Sequence, residues 1–466
     1  MRELLQGINL SDASAHSAKS GVKSFRSPRP DASRMLAYNV VSEVNQRGGF
    51  ANLLLPRQLA DSDLELRDKG FVTELVYGTL RMQGMHDWII QQVVDRDFSD
   101  IDSGIVDVLR IGIHQMFHMR VPKHAAVSAT VELARKVVGE SKATYVNATL
   151  RAISRSELAD WLFPLETMDD LVARYAILYS HPEWIVSAYF DLLKSDEEVA
   201  KALFANNVPA QPTLVSWPGR STQEELLTYG GVATRYSPYG ATTTFIPSEI
   251  DHVRKRLAGI QDEGSQIVAS IFATASESHM KWLDLCAGPG GKAALLSGIA
   301  GSKNNTFTAN EVSEARAKLV DQVVVNARVW VGDGREIATH GESFGAVLAD
   351  VPCTGIGALR RRPEVRWRRT PADLANLILL QKQLVDAAVA VTEPGGLIAY
   401  VTCSPHLAET KLQVRDALVR HRNISQLSIA PFLPAGLEDA TVGDNLQLWT
   451  HRHDTDAMFM ALFQRV

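Results

Sequence analysis

A chain of 466 residues is longer than one ordinary domain and predicts two or three. Hydrophobic residues make up 45% and charged residues 22%, which excludes a disordered polymer and allows real cores. The formal charge of -5 excludes attraction of the whole molecule to nucleic acid, so any such binding has to rest on a local patch.

Residues 1–30 carry Lys19, Lys23, Arg26 and Arg29 among serines, then Pro28 and Pro30, and read as a flexible, mildly basic arm. The start shows no signal-peptide core, and no apolar run reads as long enough to span a bilayer. A cytoplasmic address without membrane contact is the expectation. Residues 31–156 keep apolar positions at helical spacing over 32–44, 68–81, 86–94, 105–119, 126–138 and 143–153, with Gly48 and Gly49 closing the first run. That pattern predicts an all-α bundle. A second helical tract, 157–206, stops before Pro209 and Pro212. From about 211 to 261, Gly230, Gly231, Gly240 and Thr242 to Thr244 suggest short strands in a small α+β linker subdomain. From 262 to 466, apolar strands (282–285, 306–309, 329–331, 346–349, 397–401 and a closing 458–463) alternate with helices (292–299, 313–325 and 371–391). This predicts an α/β Rossmann-like, doubly wound sheet.

Ligands of such sheets bind beyond the carboxyl ends of the strands. The first strand runs into Asp284-Leu285-Cys286-Ala287-Gly288-Pro289-Gly290-Gly291-Lys292; the next four deliver Glu311, Asp333, Asp350 and Cys403. Gly288, Gly290 and Gly291 allow close backbone approach to a ligand, and the following helix aims its N-terminal N–H groups the same way. Glu311 suits two ribose hydroxyls, and Asp333, between Gly332 and Gly334, suits an adenine amino group. The loop alone also satisfies the dinucleotide fingerprint, so a nicotinamide oxidoreductase stays open at this point.

The cysteines discriminate. There are three, Cys286, Cys353 and Cys403, too few and too scattered for a disulfide framework or a metal knuckle; no metal is expected. Asp350-Val351-Pro352-Cys353-Thr354-Gly355 and Thr402-Cys403-Ser404-Pro405 each follow a buried strand, so both thiols face the nucleotide crevice. A thiolate added to carbon-6 of cytosine breaks the ring conjugation and makes carbon-5 nucleophilic. Asp350, if protonated, is the acid for N3. A cysteine doing this needs nearby positive charge. Six arginines fall in residues 360–369; Arg360, Arg361, Arg362 and Arg366, with Trp367, suit phosphate clamping and base stacking.

With these residues in view, the chain resembles the RNA cytosine carbon-5 methyltransferases, and among them the bacterial 16S ribosomal RNA enzymes of the Sun/Fmu (RsmB) type. Phe71-Val72-Thr73-Glu74-Leu75-Val76-Tyr77-Gly78, His118-Met119-Arg120-Val121-Pro122 and Val146-Asn147-Ala148 are similar to signatures of their NusB-like N-terminal domain. The resemblance implies that Cys403 attacks carbon-6 and Cys353 assists release. It further implies that Cys286, Ala287, Gly288, Pro289, Gly290, Gly291, Lys292, Glu311, Asp333 and Asp350 bind S-adenosyl-L-methionine, with the segment from Gln261 to Gln266 nearby. The expected partner is RNA, 16S rRNA or a 30S assembly intermediate, bound by a monomer. A tRNA methyltransferase and a non-catalytic NusB-like antitermination factor are the alternatives. Thr354, Gly288 and Glu311 stand where Ser, Ala and Asp are common, and the stretch from Pro212 to Pro218 lacks a frequent Arg-Val-Asn.

Overall fold

The computed structural model describes residues 30–466; the basic arm expected before Pro30 lies outside the described residues. The first unit is helical: α1 (Ala32–Arg47), α2 (Ala51–Ala60), α3 (Leu66–Arg81), α4 (Gln83–Gln91), α5 (Ser103–Phe117), α6 (Lys123–Val137) and α7 (Glu140–Ile153). Asp31 caps α1, and Gly48, at φ 73°, ends it by returning its N–H to Glu43. Residues 104–116 of α5 are all buried, so this helix is the axis of the bundle. Helix α2 escapes the sequence reading because Pro56 sits inside it and interrupts the apolar pattern. Four further helices, Leu158–Leu162, Leu171–Leu178, Glu183–Leu193 and Asp196–Ala205, fill the second tract.

Strands β1 (Thr213–Ser216), β2 (Gly240–Thr242) and β3 (Ala258–Ile260) form a small antiparallel sheet in the order β2-β1-β3. The large sheet contains β4 (Lys281–Asp284), β5 (Thr306–Glu311), β6 (Ala327–Val331), β7 (Phe344–Asp350), β8 (Thr392–Thr402), β9 (Ile424–Leu427), β10 (Thr441–Val442), β11 (Asn445–Gln447) and β12 (Phe459–Arg465). Its order is β10-β11-β12-β8-β7-β4-β5-β6, with β9 also paired to β12. Strands β4 to β8 are mutually parallel, and β12 runs antiparallel beside β8. Phe344 to Ala349 of β7 are continuously buried, as a central parallel strand covered on both faces must be. The chain leaves β4 toward β5 and β6, then returns to the other side of β4 as β7. That reversal opens a crevice at the carboxyl ends of β4 and β7.

One helix departs from the sequence expectation about membranes. Pro371–Val391, 21 residues, does have the length and apolar composition of a bilayer span. In the fold it is a sheet-packing helix: Leu384, Val385, Ala388 and Val391 join the core under β7 and β8. A Thr370–Asp373 capping box with Pro371 in the first turn sets its start.

Candidate active site

The turn after β4 is built around Glu311. This buried carboxylate at the end of β5 accepts the Gly288 N–H at 2.9 Å through Oε2 and the Ser313 N–H at 2.9 Å through Oε1. A Cβ on residue 288 would lie 2.1 Å from Glu311 Oε2, so a larger residue there would have to displace the Glu311 carboxylate. Gly290, at φ 114°, then starts the helix Gly291–Ser302. Nothing within 3.8 Å fills the space a Cβ on Gly291 would take, and the nearest group there is the Gln261 amide. Gln261 Oε1 is buried without a hydrogen-bond partner among the described residues. An orphaned acceptor beside an open glycine turn is what a ligand with an amino group would satisfy. Asp333, after β6, is partly exposed; hydrogen bonds from Arg335 hold its carboxyl below the ordinary range.

Lys292 Nζ donates to Asp350 Oδ2 at 2.8 Å, across from the helix after β4 to the end of β7. Burial opposes the Lys292 charge, but Asp350, with Cys403 and Asp284 behind it, outweighs it and keeps the pKa above its usual value. Asp284, under the turn, is pushed up to about 7 by burial and then by Asp350. Burial also raises the Cys286 thiol well above normal, with Asp284 adding to the effect.

The sulfurs of Cys353 and Cys403 lie 3.3 Å apart beyond β7 and β8. Hydrogen bonding from Cys353 lowers the Cys403 pKa against burial and Asp350, with help from Lys292; the same bond raises Cys353. The Lys292 charge beside Cys403 favours ionisation at that sulfur. Glu409 holds their loops together. It is buried and accepts the Thr354 N–H at 2.8 Å and the Gln381 amide at 3.0 Å, while its backbone carbonyl accepts the Tyr400 hydroxyl at 2.7 Å. Thr354 Oγ1 donates to Glu409 Oε2 and lies 3.2 Å from the Ser404 hydroxyl, which donates to it, joining the segments that follow both strands.

Residues 271–464 match the family described as 16S rRNA methyltransferase RsmB/F, and residues 31–155 match the NusB family. The Mycobacterium tuberculosis protein Rv1407, named as a methyltransferase, is 41% identical over 94% of this chain and 97% of its own length. The chain belongs to the RsmB/F methyltransferase family. The ribosomal RNA small subunit methyltransferase B of Pectobacterium atrosepticum is 28% identical over 92% of this chain and 97% of its own length. In fold, the crystal structure of PH0851 covers 94% of this chain and 100% of its own at 20% identity, with a TM-score of 0.77. That of NSun6 from Pyrococcus horikoshii covers 61% and 98% at 16% identity, with a TM-score of 0.53.

Within this RsmB/F-family chain the arginine run is not the continuous RNA surface the sequence suggests. Arg366 is wholly buried and donates to Ser180 O at 2.9 Å, Asn207 Oδ1 at 2.8 Å and Asn206 O at 3.2 Å. Burial, then Arg81, pulls its pKa down to about 9. Trp367 gives its indole N–H to Leu80 O at 2.9 Å and fills the space beside Gly84. Arg360, also buried, pairs with Asp454 at 2.5 Å. Arg366 and Trp367 close the seam between the helical units and the sheet domain, while Arg360 is tied within the sheet domain to Asp454 and Asp262, so the buried Arg360 and Arg366 have no surface to offer RNA. Arg361 and Arg362 remain exposed, Arg361 while paired to Asp456.

Three organising residues, Glu409, Asp456 and Arg316, escaped the sequence reading. Glu409 has no local signature; only the fold brings it under Thr354. Asp262 and Asp456 meet beside Arg360 and Arg361, and burial plus Asp456 raise Asp262 to about 6. Arg316 also went unread: it donates to Gly288 O and pairs with Glu311 at 3.5 Å.

Proposed function

We propose that this RsmB/F-family methyltransferase transfers a methyl group from S-adenosyl-L-methionine to carbon-5 of a cytosine in RNA, with 16S rRNA the substrate. The observation that carries the reading is the pair of thiols 3.3 Å apart beside the Lys292–Asp350 ion pair. A methyl transfer to an oxygen or nitrogen atom needs no cysteine nucleophile; one to an unactivated ring carbon does.

S-adenosyl-L-methionine would be held by the turn from Cys286 to Lys292, with Glu311 on the ribose, Asp333 on the adenine and Gln261 near the amino group. Bound there, it supplies an electrophilic methyl for carbon-5. The Cys403 thiolate adds to carbon-6, forming a C–S bond and moving electron density to carbon-5. Asp350, fixed by Lys292, meets the N3 edge of the base. After transfer the carbon-5 proton leaves to a base, the C6–S bond breaks, and the Cys403 thiolate is regenerated; Cys353 serves this release. Exposed Arg361 and Arg362 would contact phosphate near the entrance. The helical N-terminal unit, matched to the NusB family, and the names of the related small-subunit methyltransferases favour ribosomal over transfer RNA, and a cytoplasmic address follows from such a substrate.

Incubation of the protein with labelled methyl donor and small-subunit rRNA, followed by bisulfite mapping, tests this. One modified cytosine is expected, absent from rRNA of cells lacking the gene. Methyl incorporation with no 5-methylcytosine would overturn the reading.

A further inference from the structure

We propose that His86, His114 and His118 form a binding site for one divalent transition-metal ion of the zinc class inside the N-terminal helical unit. Cysteine count and spacing point to no metal, yet His114 in the last turn of α5 and His118, which caps it, stand four apart in sequence. Helix α4 brings His86 to them. One ring nitrogen from each of the three lies within 4.8 Å of the other two, and the ring centroids are 5.2–5.5 Å apart. Zinc–nitrogen bonds of about 2.0–2.1 Å would draw the three rings closer together than they stand without the ion.

The hydrogen bonding asks for an ion. His86 Nδ1 and Nε2, His114 Nδ1 and His118 Nε2 are all buried without a partner among the described residues. Neutral imidazoles left this way in a core are costly, and three facing one another have lone pairs with no donor to meet. Glu74 Oε1 lies 3.3 Å from His114 Nε2 and accepts its proton. With Nε2 as the donor, the His114 Nδ1 lone pair is left free for a metal, the arrangement in which a carboxylate orients a metal-ligating histidine. Helix α3 makes room for it at Gly78. A Cβ there would lie 2.1 Å from His114 Nε2 and 2.6 Å from Glu74 Oε1. Glycine in a helix interior costs about 1 kcal/mol relative to alanine, so its presence reflects the histidine behind it.

The surroundings tolerate the charge. Arg110 is held by Asp87 at 2.7 Å and by Asp107 at 3.3 Å, and Arg81 lies near Glu74. Three carboxylates therefore face two guanidiniums around the histidines. Three imidazoles suit zinc, cobalt(II) or nickel(II) rather than magnesium or calcium, which prefer oxygen. Ligands from α4 and α5, with Glu74 from α3 behind them, would make the ion a fastener of three helices beside the seam that Arg366 closes.

The test is uptake of cobalt(II) by full-length protein first stripped with a chelator. One equivalent is expected, with visible d–d absorption, no thiolate charge-transfer band, and a higher Tm that zinc reproduces and chelator reverses. Glu74→Gln should weaken binding about 10–100-fold. His118→Gln should lose it while keeping the far-UV dichroism of the stripped wild type, and Cys403→Ser should bind normally. No uptake by the wild type, uptake undiminished in His118→Gln, or uptake lost in Cys403→Ser would overturn the proposal. If His118→Gln does not fold, the wild-type spectrum decides, because a thiolate charge-transfer band would assign the ion to the cysteines.

Discussion

Cys353 and Cys403 come from loops fifty positions apart in sequence, yet their sulfurs sit 3.3 Å from one another. Adjacent parallel strands β7 and β8 pair Asp350 with Val401, so the next residues of each strand emerge side by side. Glu409 and Thr354 then keep the two loops in register.

Because Cys403 has the lowered pKa and Cys353 the raised one, the two substitutions should differ in kind. Cys403→Ala is expected to abolish methyl transfer while cofactor affinity stays within a few-fold. Cys353→Ala is expected to accumulate a denaturant-resistant protein–RNA adduct, seen as a shifted band on a denaturing gel. Turnover by Cys403→Ala would remove it as nucleophile.

The buried Asp284, raised to about 7, makes stability fall with pH. Its folded pKa exceeds its unfolded value near 3.8, so the folded state holds the extra proton between those limits. The stabilising contribution is complete below about pH 4 and lost as pH rises through about 7. Asp284→Asn, which mimics the protonated acid, should gain stability relative to wild type between pH 5 and pH 8, by an amount of order 1–3 kcal/mol. Urea midpoints of both proteins at the two pH values measure it; a difference independent of pH would refute the assignment.

The arginine run should divide by burial. Arg366→Ala leaves several buried carbonyls without a donor and should cost about 3 kcal/mol or more, read as a lower Tm, with the salt dependence of RNA binding unchanged. Arg362→Ala should leave Tm alone and reduce the slope of log K against log salt by about 0.7–0.9. The opposite pattern would return Arg366 to the RNA surface.

Glu409→Ala should unfasten the cysteine loops without touching the glycine turn. A fall in kcat of about 10–100-fold, with cofactor affinity unchanged, is expected from displaced catalytic groups. Equal losses in cofactor affinity would show that Glu409 serves the whole domain instead.

Much of the site was legible because it follows local rules. Glycines at 288, 290 and 291 and acidic residues at strand ends are what a nucleotide crevice requires, and strand alternation places them on one edge. The arginine run was misread for a physical reason: charge in a sequence reports cost of burial, and whether that cost is met depends on partners from elsewhere. Arg366 finds its acceptors at Ser180, Asn206 and Asn207, more than 150 positions away.

The amino-acid order by itself determined the alternation of strands and helices, the helical N-terminal unit and the chemistry carried by each strand end, since these depend on periodicity and residue type. Only the tertiary structure decided that the two cysteine sulfurs meet, which arginines are seam rather than surface, and that three histidines share one buried space. Those outcomes are set by distances between side chains remote in sequence and by the water excluded around them.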